Sequence, residues 1–194
     1  KFINNKIQEK KSLNLGKVES VREELVDIYK DRGLMQEKSD FIFTDKSLNN
    51  FFYLRLIKEI FPQAKVINCR RKTLSSIISI FQNNLTDLAW THNLEHIFKY
   101  FDNYFKIINE FKKKYPNFVY DLNFENFTNE PEIESKKLMS FCNLLWDKKC
   151  LEFYKREDLF SKTASNIQIR KPIYKHSLEK YLPYKKLLNK YGDK

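Results

Sequence analysis

The stretch from Phe41 to Ser79 constrains this 194-residue chain more than any other. It reads as a short apolar strand ending in Thr44-Asp45-Lys46, a helix over residues 51–60, and a second strand, Lys65-Val-Ile-Asn-Cys69, running into Arg70-Arg71. Pro62 stops the helix before the second strand, because its ring removes an N–H and clashes with the preceding turn. A further helix is expected over residues 73–84, carrying Ser79, and residues 118–121 read as the next strand. Strands that alternate with helices pair in parallel through crossovers, so the fold class is α/β with a central parallel sheet flanked by helices. In such sheets, phosphorylated ligands dock at the strands' carboxyl ends and at the helix N-termini that follow. Two successive strand tips here deliver a cation each, Lys46 and Arg71. That pattern points to a surface for a doubly anionic nucleotide.

The rest of the chain fits one domain. Val18, Val21, Leu25 and Ile28 recur at helical spacing before Gly33, a C-cap residue. A long helix is expected over residues 90–114, with Leu94, Ile97, Phe98, Phe101, Phe105 and Ile108 on one face. Further helices are expected over residues 134–145, 148–154 and 177–191, the last basic and interrupted at Pro183. Apolar residues make up 42% of the chain, enough for a sizeable core. No run of about 18 apolar residues spans a membrane, and no secretory signal pattern is present. Cys69, Cys142 and Cys150, odd in number and in mostly apolar settings, read as reduced packing residues. The expected location is therefore cytoplasmic. The chain opens on Lys1 rather than Met, which reads as a fragment or a processed product.

Net charge is +11. It favours an anionic partner such as a nucleotide, glycan, acidic peptide or nucleic acid. Lys, Asn, Ile, Phe and Tyr are also enriched together, as A/T-rich codons would give, so charge alone does not choose.

Individual residues carry more. An arginine fork and a helix hydroxyl, Arg71 with Ser75 and Ser79 at i and i+4, can hold a phosphate through charge-assisted hydrogen bonds. The same residues also read as a surface arginine pair and a serine bonded to its own helix. Lys46 can neutralise charge on a bridging oxygen during group transfer, or simply pair with Asp45 at the surface. The polar run over residues 163–172, with Tyr174, Ser177 and Lys180, reads as a loop closing over an anion or as an ordinary surface connection. Phe124 reads as core or adenine platform. His92 and His96 lie at i and i+4, but no third ligand accompanies them, and no metal site is assigned.

Taken together, these pieces resemble a sulfotransferase domain. The resemblance lies in Phe43-Thr-Asp-Lys46, Asn50-Phe51, Phe61-Pro-Gln-Ala-Lys-Val66, Cys69-Arg-Arg71 and Ser79-Ile-Phe-Gln82. It continues through Trp146-Asp147, Cys150-Leu151, Thr163-Ala-Ser165 and Arg170-Lys-Pro-Ile-Tyr174. It covers roughly residues 40 to 185, and the order of so many pieces makes it specific. The most similar branch is bacterial, often fused to tetratricopeptide repeats and distantly similar to tyrosylprotein sulfotransferases.

The resemblance implies a P-loop-like α/β fold. It also implies transfer of a sulfuryl group from 3′-phosphoadenosine-5′-phosphosulfate (PAPS) to a hydroxyl or amine, leaving 3′,5′-adenosine bisphosphate (PAP). On this reading Arg71 and Ser79 hold the donor's 3′-phosphate, and Lys46 steadies the sulfuryl transition state and leaving phosphate. Ser165 and Lys180, with Arg170, fall at donor-binding positions in a closing segment. The acceptor, whether peptide, glycan or small molecule, is not legible.

Departures accompany the likeness. The glycine-containing loop that cradles the 5′-phosphosulfate is absent, and only Gly16, Gly33 and Gly192 occur. The catalytic base is not placed either. Both are expected upstream of Lys1, leaving residues 1–194 as one domain without its N-terminal donor-loop strand and helix. Leu48 replaces a common Pro, Ser75 a usual Asp, and Phe124 a frequent Tyr. The alternative function is a non-catalytic basic module for nucleic acid or another polyanion. For it, Tyr174, Tyr181, Tyr184 and Tyr191 stand among six lysines at the C-terminal end. A nucleotide phosphotransferase would need a phosphate-cradling glycine loop and magnesium carboxylates, which the sequence does not display.

Overall fold

In the computed structural model, the described residues are 15–33, 42–83, 85–156, 170–173 and 181–189. They fall in two compact units, Lys1–Ala64 and Lys65–Lys194.

In the first unit the helical spacing of Val18, Val21 and Leu25 forms α1, Leu15–Asp31. Its buried face, Val21 and Leu25, packs on Ile60 of α2, Leu54–Ile60, with Leu56 and Phe61 closing the rim. Arg22 Nε donates to the Ile60 carbonyl at 2.5 Å. This satisfies one of the acceptors that a helix C-terminus leaves unpaired. Gly33 sits at φ 66°, the left-handed conformation that ends a helix at little steric cost when no Cβ is present. The expected helix over residues 51–60 is therefore real, although its first turn, Asn50–Tyr53, is 3-10.

Ile42 to Ser47 is not a strand. Only Phe41 of the proposed strand lies outside the described residues. Phe43 instead makes ring contacts with Tyr29 at 5.0 Å and Phe61 at 6.2 Å. A short apolar run has two ways to hide from water, a ladder or a cluster of rings, and here the rings take it.

The second unit holds the sheet. β1, Val66–Arg70, pairs in parallel with β2, Val119–Asn123, from Val66↔Val119 to Arg70↔Asn123. After β1 comes α3, Thr73–Asn83, and then α4, Leu94–Lys114. Ile77 and Ile78 of α3 meet Leu94, Ile97 and Phe98 of α4 in the main core. Ile77 and Ile97 are fully buried, each worth about 2–3 kcal/mol of transfer free energy. The core is completed from far along the chain by Leu188 of the short α7, Lys185–Leu188.

The long helix expected over residues 90–114 is broken. Ala89–His92 is a 3-10 turn and α4 begins after Asn93, whose side chain accepts from the Glu95 and His96 amides. That cap satisfies two orphan donors and fixes the helix start. β2 runs into α5, Phe124–Asn129, and α6, Pro131–Phe141, follows with Pro at its first position. α6 ends earlier than its apolar pattern implied, because Asn143 takes φ 57° and Leu144 N closes back on the Met139 carbonyl. This is the left-handed stop usually built on glycine. The expected helix over residues 148–154 is two 3-10 turns.

Across the middle of the sheet, polar groups replace apolar ones. Asn68, buried, faces Asp121 in register, and its amide donates to Asp121 Oδ1 at 2.7 Å. From α4, Tyr104 donates its hydroxyl to Asn68, and Lys112 pairs with Asp121. Burial alone would raise the Asp121 pKa; hydrogen bonds from Lys112 and Asn68 more than offset it and hold the carboxyl below its usual range.

Candidate functional site at the carboxyl end of β1

β1 ends on the first of three consecutive cations, Arg70, Arg71 and Lys72, and each has a different setting. Arg70 leans its guanidinium over the Phe105 ring, 5.2 Å from the centroid. Such a contact orients the group while leaving it open to water. Lys72 is exposed, but its backbone N–H donates to Glu125 Oε1 at 2.9 Å.

Arg71 lies between them and is half-buried. Its Nη2 donates to the Ser75 carbonyl at 2.7 Å, while Nε is buried without a hydrogen-bond partner. Burial lowers its pKa, and the Glu125 carboxylate acts in the opposite direction. A buried, unsatisfied guanidinium nitrogen is costly, and an anion is the partner that would satisfy it best. The amides that open α3 lie on the same turn, since Ser76 N is the first to reach back, to the Lys72 carbonyl. A helix start and a desolvated arginine thus converge on one turn, the combination that selects phosphate-like groups.

Ser75 and Ser79 share the i, i+4 relation expected of them but not the same exposure. Ser75 is fully buried, whereas Ser79 is half-buried and its carbonyl accepts from Asn83 Nδ2 at 2.7 Å. Ser79 is the one of the two that keeps surface for a ligand.

These features sit in a chain whose sequence the profile of the Sulfotransferase family matches over residues 10–148. The chain belongs to that family. A sulfotransferase-type α/β architecture accords with its mixture of helices and a small parallel sheet. An uncharacterized protein of Aquifex aeolicus (strain VF5) is 34% identical over 164 residues, 82% of this chain and 21% of that protein. The chain thus spans about a fifth of that relative's length.

The other sulfotransferase-like positions are distributed unevenly. Lys46 lies in the first unit, exposed, in the stretch from Ile42 to Ser47. It does not follow a strand, contrary to the sequence reading. Its neighbour Asp45 is committed elsewhere: Tyr29 donates to Oδ2 at 2.8 Å, and the Ser47 amide and Asn50 side chain donate to Oδ1 at 2.9 and 3.2 Å. Burial and the Asp45 carboxylate push the Tyr29 pKa up to about 12, so the phenol stays a donor at neutral pH. Arg170 is exposed and donates to the Arg156 carbonyl. Ser165 and Lys180 lie outside the described residues.

Some motif residues have structural work. Trp146 Nε1 donates to the buried Ser135 Oγ at 2.8 Å, and the Asp147 side chain caps a 3-10 turn through the Lys149 amide. Cys69 and Cys150 are exposed and Cys142 half-buried, so the expectation of apolar packing roles does not hold for two of the three. His92 Nε2 contacts the Leu85 carbonyl at 3.1 Å. Among the described residues no group of three or more His, Cys, Asp or Glu side chains gathers as a metal site, and no helix is long and apolar enough to cross a membrane.

Two tyrosines of the basic C-terminal stretch are also engaged. Tyr181 packs against the main core and the Tyr184 hydroxyl accepts from Gln82 Nε2 at 2.9 Å. The Tyr181 ring, used in this way, is a poor stacking platform for successive bases, whereas Tyr184 is bound through its hydroxyl and stays exposed. Glu125 is what sequence reasoning missed, because its bond to the Lys72 amide depends on strand register.

Proposed function

We propose that this chain carries donor-binding and transfer residues of a PAPS-dependent sulfotransferase with a P-loop-like core. The observation that carries the reading is Arg71, whose buried Nε has no partner at the carboxyl end of β1. The residues present fit an anionic nucleotide: a desolvated guanidinium, the start of α3 and a surface-accessible Ser79 share one strand–helix junction.

The donor supplies an activated sulfuryl group, whose S–O bond to the 5′-phosphate breaks as an acceptor hydroxyl or amine bonds to sulfur and gives up its proton, PAP being the leaving group. Arg71 and Ser79 bind the 3′-phosphate and fix the donor's register. By family likeness, Lys46 supplies the ammonium that neutralises negative charge building on the oxygen between sulfur and phosphorus. Charge aimed at such an oxygen matters more in the transition state than in the ground state. Ser165, Arg170 and Lys180 add donor contacts by family likeness. The acceptor's chemistry is left to the rest of the site.

Calorimetric titration of PAP into the protein and its Arg71→Ala variant tests this. A marked loss of affinity in the variant is the expected result. Equal affinities would overturn the assignment.

A further inference from the structure

Arg70 and Asn123 are the last paired residues of the ladder. Beyond them the two segments part, one into α3 and the other into α5. Hydrogen bonding nevertheless continues for one more step. Lys72 and Glu125 each lie two residues past the final pair, and the Lys72 amide donates to Glu125 Oε1 at 2.9 Å. A side-chain carboxylate stands in for the carbonyl that another rung of a parallel ladder would have supplied.

Glu125 is itself held firmly. The Asn123 side chain accepts from the Asn126 amide at 2.8 Å and so fixes the opening of α5. Buried Thr128 donates its hydroxyl to the Glu125 carbonyl at 3.0 Å. Rigidity therefore passes from α5 through one carboxylate to the amide next to Arg71. An anion-binding arginine needs such support, because a phosphate contact misplaced by about 1 Å loses much of its worth.

We propose that Glu125 is a positioning residue for anion binding, holding the turn between β1 and α3 so that Arg71 presents its guanidinium to the phosphate. This rests on the reading of Arg71 as the donor-binding group. Glu125 also carries a negative charge within electrostatic reach of Arg71. Its geometric help and its charge therefore act oppositely on an incoming anion, and the test has to separate them.

Glu125→Gln and Glu125→Ala both remove the charge, but only Gln keeps an oxygen acceptor for the Lys72 amide. PAP is titrated calorimetrically into the full-length protein carrying each change, with Arg71 present and with Arg71→Ala. With Arg71 present, the Gln variant is expected to bind several-fold more tightly than the Ala variant, the size of one lost hydrogen bond between neutral groups. With Arg71→Ala the two should bind alike, because nothing is left to position.

Equal affinities of the Gln and Ala variants with Arg71 present would overturn the proposal. So would a difference that persists without Arg71, since that marks a fold-wide effect. Both results leave the donor reading standing. Equal affinities of wild type and Arg71→Ala would overturn that reading, and this inference with it. Should the Ala variant fail to fold, Glu125→Asp replaces it, keeping the charge but shortening the reach by one methylene. Asp is expected to bind several-fold more weakly than wild type with Arg71 present. Unchanged affinity there overturns the proposal.

Discussion

Arg71 and Lys46 carry the same charge in opposite settings. Arg71 follows a paired strand, is half-buried, and has one nitrogen engaged and another buried without a partner. Lys46 follows an unpaired stretch, is exposed, and sits beside a carboxylate already bound by Tyr29, Ser47 and Asn50. Folding has removed water from part of the first cation, its Nε, so an anion meeting it displaces less solvent there. The second must shed its hydration for anything it binds. Affinity is therefore expected to reside in Arg71, whereas Lys46 is suited to charge that appears only as the reaction proceeds.

The largest expected effect would break or confirm that contrast directly. Lys46→Ala should lower kcat by roughly 10²–10³-fold while donor affinity stays within about twofold. A loss confined to binding would erase the distinction between the two cations. Next in size, Arg71→Ala should weaken PAP binding by about 10–100-fold in calorimetry. Arg71→Lys should recover only part of it, because an ammonium lacks the planar fork.

The third prediction tests the frame under Arg71. Asp121→Ala should destabilise the protein by roughly 1–3 kcal/mol in urea unfolding, since Asn68 and Lys112 both lose a partner. The native carboxyl is held below its usual pKa, so this contribution is complete at neutral pH. It is lost as pH falls from the ordinary carboxylate range through the lower native value. Wild type should therefore lose more stability than Asp121→Asn between pH 7 and pH 3; parallel losses would count against the network.

The smallest effect concerns the Lys46 segment. Tyr29→Phe should cost about 0.5–1 kcal/mol, one ordinary hydrogen bond. Because the native phenol is pushed up to about 12, its stabilising bond to Asp45 is fully present below pH 10. The bond is lost as pH rises from there toward 12. Spectrophotometric titration should show Tyr29 and Tyr100, both pushed up to about 12, among the late-ionising tyrosines, and the late amplitude should fall by one tyrosine in the variant.

Legibility in the sequence followed the strength of the local pattern. β1, α3 and the amphipathic body of α4 were readable because Val66-Ile-Asn-Cys69 and the Leu94, Ile97, Phe98, Ile108 spacing each favour one conformation. The break at Asn93 was hidden by Trp90, an aromatic in phase with the helix beyond it, which in fact stacks on Tyr100 at 4.0 Å. Asn93 followed by Glu95 was the available signal, an N-cap ahead of an acidic first turn. Ile42-Phe43 misled because apolar character does not say whether rings or ladders will cover it.

At the candidate site, the cations were legible and their environment was not. Arg71 is visible as a residue after a strand. That its Nε is buried without a partner depends on how Ser75 and its neighbours pack, which no spacing rule encodes. Glu125 needed still more, since only the parallel register brings it level with Lys72.

The docking of Leu188 has a consequence for where this fold can be cut. The stretch matched by the family profile stops at residue 148, yet Leu188, only 1% exposed, plugs the socket formed by Ile77, Ile78, Leu94, Ile97 and Phe98. Trimming at the profile's edge would leave that socket open beside the very helix that follows Arg71. Homology limits and folding limits are different boundaries in this molecule, and a shortened version should retain the distal plug.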